Sequence, residues 1–206
     1  MLKMWGRNTS SNVQKAMWAV GELKLPCERI DVGGAFGRTK EPFYLGMNPN
    51  SLVPTLEEED GFTMWESNSI VRYLAAKHDA LEPKDAKARG RAQQWMDWQL
   101  SVLGPAITPV FWGLIRTPAE KRDHAAIEAG KVKTTAAAQI MDAQLGKTRF
   151  MAGEDFSYGD IPVGVMIRRY MELVPERPKM PNLERWFGEI ASRAAFKEHC
   201  GGIPLT

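Results

Sequence analysis

Apolar residues along this chain follow two different rhythms. Up to about residue 77, short apolar runs alternate with stretches of helical period; beyond about residue 85 only the helical period remains. Leu2–Trp5 is a short apolar run closed by Gly6, the mark of a first strand. Residues 12–23 place Val13, Ala16, Met17, Val20 and Leu23 on one helical face, with Ser10 or Ser11 available as a cap. Residues 28–32 read as a second strand, Gly33, Gly34 and Gly37 predict a mobile loop, and 41–47 a short helix. Residues 55–58 and Thr63–Trp65 flank Asp60-Gly61, a strong hairpin signal. Ser67–Lys77 then puts Ile70, Val71, Leu74 and Ala75 on one helical face. The order βαβ followed by ββα predicts an α/β domain: a mixed four-stranded sheet covered by helices.

The second half reads as all-helical. Trp95, Trp98, Leu100 and Leu103 belong to a long helix, with a kink predicted at Gly104-Pro105. Thr117-Pro118-Ala119-Glu120 has the form of a helix start, with cap, proline and capping-box Glu, opening a helix that runs to about residue 145. Ser157-Tyr158-Gly159-Asp160 is a second capping box, with Asp in place of Glu and with Phe156 and Ile161 as a hydrophobic staple. Pro181-Asn182 opens another helix, with Leu183, Trp186, Phe187 and Ile190 at core spacing. Two domains are expected, 1–78 and 85–206, joined by a linker over 78–84 that contains Glu82-Pro83.

Composition narrows the partners. A hydrophobic content of 44% supports a real core, and a net charge of +2 is too weak to argue for nucleic acid or an anionic membrane. Lys84, Lys87, Arg89 and Arg91 alternate with Ala and Gly and read as a solvated helix start. Cys27 and Cys200 are far apart and form no CxxC, which suggests a reducing, cytoplasmic setting. No apolar run approaches the ~20 residues of a membrane helix, the N-terminus lacks an apolar signal core, and no metal is expected.

The chemistry concentrates in residues 48–73, NPNSLVPTLEEEDGFTMWESNSIVRY. Val53-Pro54 is a candidate cis peptide, since X-Pro is the bond type where cis is accessible. A cis bond there would turn the Val53 N–H and C=O toward an extended ligand. Glu66 and Ser67 sit where a helix N-terminus can hold a carboxylate and an ammonium together. This layout resembles the glutathione-binding half of a glutathione transferase, and the element order matches that family's thioredoxin-like domain followed by a helical domain. The segment GRNTSSNVQKAMWAVGELKLPCERIDVGGAFG is similar to a bacterial subgroup of serine-type transferases. Ser51 departs from the Gly common in Asn-Pro-x-Gly. No cysteine lies between Gly6 and Lys15, so thiol-disulfide exchange by the protein itself is not expected.

The resemblance implies nucleophilic attack of the glutathione thiolate on small electrophiles, with glutathione as co-substrate, in a detoxifying cytoplasmic homodimer. A thiol with a pKa of about 8.5 is only a few per cent ionised at pH 7, so full ionisation is worth at most about 2 kcal/mol. One hydroxyl hydrogen bond plus a helix N-terminus can supply that shift. Ser10 is the candidate hydroxyl; it would otherwise serve only as N-cap, with Ser11 as the alternative donor. Asn12 would donate a second hydrogen bond or help to cap the helix. Val53 would bind the cysteinyl backbone by strand addition, held by Pro54. Glu66 would hold the γ-glutamyl ammonium and Ser67 its carboxylate, while Arg38 or Lys40 would meet the glycyl carboxylate or remain solvated. Arg7, Phe36, Trp98, Phe111 and Trp112 are the candidates for the electrophile pocket, with Trp95 on the same helix. Glutathione-dependent disulfide reduction or peroxidase activity, or a non-catalytic glutathione-fold binding module, are the alternatives.

Overall fold

Strands β1 (Leu2–Trp5), β2 (Cys27–Ile30), β3 (Thr55–Glu57) and β4 (Thr63–Trp65) form one mixed sheet in the computed structural model, which describes all residues, Met1 to Thr206. The order is β2-β1-β3-β4, with β1 parallel to β2 and the other pairs antiparallel. Met4 faces Leu56 across the ladder, and both are fully buried. Their side chains meet Val13, Ala16, Met17 and Val20 of α1 (Ser11–Glu22) and Ile70 and Leu74 of α3 (Ser67–Lys77). Lys3 and Trp5 alternate to the opposite face, where both reach Glu57, at 3.2 and 2.7 Å. Between β2 and β3 lie a short 3-10 turn, Gly34–Phe36, and α2 (Pro42–Met47).

Helix α1 departs from its sequence pattern. Every residue from Val13 to Val20 is buried, not one face alone. The chain's C-terminal stretch explains this. α9 (Ala194–Phe196) and the π-helical turn after it, Lys197–Gly201, pack on the outer side of α1. Phe196 meets Trp18 edge-on at 4.9 Å, and Arg193 grips Glu22 through two bonds of 2.6 and 2.7 Å. Glu22 also accepts from Trp18 Nε1 at 2.9 Å. The chain accordingly divides into two units, Met1–Glu82 with Arg193–Pro204, and Pro83–Ser192 with Leu205–Thr206. The sequence pattern groups 193–204 with the helical half; the structure places them with the sheet.

The second unit is helical throughout. α4 (Ala86–Trp98) runs through a π turn, Gln99–Leu103, into α5 (Gly104–Phe111) and a second π turn, Trp112–Arg116. At Gly104-Pro105 the missing proline N–H is accommodated by a widened turn, so a single helix continues. By length and composition alone the Ala86–Arg116 helix meets the measure of a membrane span, although the sequence holds no uninterrupted apolar run of that length. Met96, Leu103, Ile107 and Val110 on it are fully buried, so much of that apolarity serves packing within the unit.

α6 is His124–Leu145, and it starts later than its sequence signal. Thr117-Pro118-Ala119-Glu120 yields only a 3-10 turn, Ala119–Lys121. Arg122 donates to the carbonyls of Leu114 and Thr117, at 2.8 and 3.2 Å, which folds this segment back on the preceding helix end. Asp123 then caps α6 by accepting from the Ala126 N–H at 2.9 Å.

α7 (Asp160–Leu173) has the expected box: Asp160 accepts from the Ser157 N–H at 3.0 Å, and Ser157 Oγ accepts from the Gly159 N–H at 3.2 Å. Asp160 also accepts from the Met151 N–H and from Trp186 Nε1, both at 2.9 Å. Complete burial nevertheless pushes its carboxyl up to about 6. Phe156 stacks edge-on against Phe150. α8 (Pro181–Ser192) receives its cap from another helix: Asp142 of α6 accepts from the N–H groups of Asn182 and Leu183, both at 2.9 Å.

Candidate functional site

The loop from Asn48 to Thr55 carries the Val53-Pro54 bond, which is cis. A buried polar knot beneath holds it. The Tyr44 hydroxyl donates to the Leu52 carbonyl at 2.6 Å and lies 2.9 Å from Thr55 Oγ1. Asn48 Nδ2 donates to the same carbonyl at 2.8 Å and to Thr55 Oγ1 at 3.2 Å, while Asn48 Oδ1 accepts from the Asn50 N–H at 3.1 Å. Tyr44, Asn48 and Thr55 are all buried. Sequence reasoning missed these three; the signal available was Asn48-Pro49-Asn50, a turn whose side chains hydrogen-bond the backbone nearby. Ser51 adopts the left-handed conformation, φ +56°, that glycine occupies without strain.

Neither the N–H nor the C=O of Val53 joins the backbone hydrogen bonding of the chain. Gly6 makes room for the Val53 side chain. A Cβ on Gly6 would stand 2.4 Å from Val13 Cγ2 and 3.2 Å from Val53 Cβ, so a side chain at 6 would push the loop outward.

Glu66 sits at the N-terminus of α3 with φ +74°, a conformation uncommon for a residue with a side chain and typical of functional positions. Its Oε2 accepts from the N–H groups of Asn68 and Ser69, at 2.9 and 3.0 Å. Its Oε1 receives only the Ser67 hydroxyl, at 3.4 Å. The carboxylate is thus fixed by the helix while one oxygen keeps capacity for a cation. Ser67 is almost fully buried beside it.

Ser10 precedes α1 with extended backbone, and its side chain makes no capping bond, so the hydroxyl is not consumed by the helix. Its backbone is tied at both ends, its N–H to the Arg7 carbonyl at 3.2 Å and its C=O to the Gln14 N–H at 2.9 Å. Ser11 is half-buried as the first residue of α1, and Asn12 is exposed. The Arg7 side chain lies along Gly33 and Gly34: a Cβ on Gly34 would meet Arg7 Nε at 3.0 Å. The glycines of this loop therefore form a bed for Arg7, a role that the sequence pattern does not reveal.

Arg38 pairs with Glu41 at 3.5 Å and stacks on the Phe43 ring at 4.7 Å, while Lys40 and Phe36 are exposed. In the helical unit Trp98 packs edge-on against the buried Trp95 at 5.0 Å. Trp112 is 59% exposed, whereas Phe111 is buried. Burial raises the Cys27 thiol to about 11, and Cys200 is fully buried. The Cys27 thiol is thereby held in its protonated form, a poor nucleophile. No group of three His, Cys, Asp or Glu residues is placed to hold a metal ion.

Residues 9–77 match the family model for the glutathione S-transferase N-terminal domain, and 103–194 that for the C-terminal domain. The chain is 39% identical over 201 residues to glutathione S-transferase GstB of Escherichia coli, covering 96% of this chain and 97% of the relative. It superposes with TM-score 0.95 and 39% identity on the theta class glutathione S-transferase of Xanthomonas axonopodis pv. citri with glutathione bound, over 100% and 99% of the two chains. Glutathione transferase F7 of Populus trichocarpa aligns with TM-score 0.87 and 27% identity, over 99% of this chain and 100% of the other. The chain belongs to the glutathione S-transferase family and is a transferase with glutathione as its co-substrate.

Proposed function

We propose that Ser10, Val53, Glu66 and Ser67 form the glutathione site of a serine-type transferase. The observation that carries this reading is the pairing of a cis Val53-Pro54 loop, with the Val53 N–H and C=O unclaimed, and a Glu66 carboxylate anchored at the start of α3. When bound, glutathione supplies the thiol that attacks the electrophile. Val53 binds its cysteinyl backbone in antiparallel fashion. Glu66 Oε1 takes the γ-glutamyl ammonium, and the first turn of α3 with Ser67 takes the carboxylate beside it. Ser10 donates its hydroxyl hydrogen to the sulfur and favours the thiolate over the thiol. Pro54 holds the loop for this contact, Asn12 donates a second hydrogen bond, Ser11 is the alternative to Ser10, and Arg38 or Lys40 answers the glycyl carboxylate, Arg38 by leaving Glu41.

Phe36, Trp98, Phe111, Trp112 and Arg7 are the residues we assign to the electrophile side of the reaction. The enzyme acts in the cytoplasm, in detoxification, as a homodimer. Exposed apolar side chains in each unit, Phe62 and Trp65 in the first and Leu100 and Val102 in the second, suit a subunit interface.

The test is an ultraviolet titration of the bound thiol. Ser10→Ala should raise its pKa by about one to two units, the shift one charge-assisted hydrogen bond supplies, while glutathione affinity stays within a few fold. An unchanged pKa in Ser10→Ala with a raised one in Ser11→Ala or Asn12→Ala would move the role to that residue.

A further inference from the structure

One cluster in the helical unit stands apart from the glutathione residues. Phe111, at the end of α5, carries two guanidinium groups. Arg169 of α7 lies 3.7 Å above the ring centre, and Arg116, five residues after Phe111, lies 5.7 Å from it. Neither arginine has a carboxylate or a hydrogen-bond partner in the chain. The neighbouring Arg168 does, pairing with Glu172 at 2.5 Å, and Arg122 answers the carbonyls of Leu114 and Thr117 at the helix end. Arg116 is therefore not needed to satisfy that helix terminus.

Two like charges on one ring, one of them well removed from water, are costly unless an anion joins them. The Arg169 guanidinium shows the strain: burial, then the charges of Arg116 and Arg168, bring its pKa down to about 10. Phe111 offsets part of this through cation–π attraction, which is worth about 0.5–2 kcal/mol. A ring supplies no hydrogen-bond acceptors for the guanidinium donors, and a carboxylate supplies two oxygens in the geometry a guanidinium fork matches.

We propose that Arg116 and Arg169, organised by Phe111, bind the carboxylate of the second substrate, and that this transferase prefers electrophiles bearing an acid group. The inference rests on the transferase reading above, in which Phe111 lies on the electrophile side. It places the acid-binding role in the helical unit, while Arg7 of the first unit lies along Gly33 and Gly34. The reaction is unaltered: the thiolate sulfur forms a bond to carbon, the carbon–halogen bond breaks, and its electron pair leaves as halide.

The experiment compares 4-(chloromethyl)benzoate with 4-(chloromethyl)benzamide at saturating glutathione, alongside calorimetric binding of unreactive 4-methylbenzoate. In the unaltered protein kcat/KM for the acid should exceed that for the amide by about tenfold to a hundredfold, as expected for a charge-assisted bidentate contact. Arg169→Gln and the exposed Arg116→Gln should each lower the acid-to-amide ratio about tenfold. Arg169→Lys should keep part of it. Glutathione affinity reports whether each variant is folded. Equal rates for acid and amide in the unaltered protein overturn the proposal, as does an equal loss for both substrates in the arginine variants. If neither halide reacts, binding of 4-methylbenzoate that weakens in Arg116→Gln supports the anion site, and no binding overturns it. Failure of glutathione itself to bind would instead overturn the transferase site.

Discussion

The sheet unit and the helical unit place their chemistry in the chain in opposite ways. In the first, residues 48–67 contain the cis peptide, most of the loop knot and the Glu66-Ser67 helix start, so Val53, Glu66 and Ser67, three of the four residues proposed for glutathione, are near neighbours in the sequence. In the second, Phe111 and Arg169 meet only because α5 packs against α7. A site made from one continuous segment follows from local rules: cis is accessible at X-Pro, and helix N-termini favour anions. A site made by packing follows from none of them. This contrast matches what the two units have to recognise. Under the proposed reading, the first would serve one invariant ligand with a backbone contact, and the second would present side chains whose identity sets the choice of electrophile.

The contrast is broken most severely by a change that damages the helical unit's frame and leaves the glutathione segment alone. Asp160→Asn replaces a carboxylate surrounded by four donor contacts with an amide whose NH2 must face one of them. A loss of about 3–5 kcal/mol is expected in denaturant unfolding. Glutathione affinity measured below the transition should stay near that of the parent. The pH dependence has a definite sign. Because burial raises the folded Asp160 carboxyl to about 6, above its unfolded value near 3.9, its contribution is complete below about pH 4 and is lost as pH rises through 6. The stability advantage of the parent over Asp160→Asn should therefore grow as pH falls from 7 to 4, by up to about 3 kcal/mol. An advantage that shrinks over that range would show that the carboxylate's donors outweigh its burial.

The reverse perturbation loosens the first unit. Tyr44→Phe removes the hydroxyl that holds the Leu52 carbonyl and Thr55 Oγ1. It should cost about 1–3 kcal/mol of stability, the usual penalty when buried partners lose a bond. Glutathione affinity should fall with it, since the loop bearing Val53 is held by this knot. An affinity unchanged in a destabilised variant would separate loop order from ligand binding.

The smallest effect is at Ser51, which keeps φ +56° without being glycine. Ser51→Gly relieves that backbone but frees the unfolded chain, so thermal denaturation should register a change of less than about 1 kcal/mol, in the stabilising direction. A clear loss of stability would mean that the serine hydroxyl, not the backbone, matters in the turn.

The four strands of the mixed sheet, α3 and the Asp160 box could be read from the residues because each rests on a local signal: strand alternation, Asp60-Gly61, Ser157-x-x-Asp160. The late start of α6 could not. Two start signals compete there, and the contacts of Arg122 with the preceding helix end favour Asp123 over Thr117. The docking of residues 193–204 onto α1 was equally hidden. Trp18 lies off the apolar face of that helix, and Phe196 and the Glu22–Arg193 pair, remote in sequence, explain its burial. At the proposed glutathione site the cis Val53-Pro54 bond and the helix start at Glu66-Ser67 were readable. The Tyr44–Asn48–Thr55 knot and the glycine bed of Arg7 were not, since both depend on what packs beneath a loop.

The central claim is that glutathione is bound by the first unit's own segment, with Glu66 as its charge anchor. Calorimetric titration of glutathione into the unaltered protein, Glu66→Ala and Arg169→Gln tests it in one experiment. The account predicts binding in the unaltered protein, a loss of about 2–5 kcal/mol in Glu66→Ala, and no change in Arg169→Gln. No binding to the unaltered protein at millimolar glutathione, or full affinity in Glu66→Ala, would contradict it.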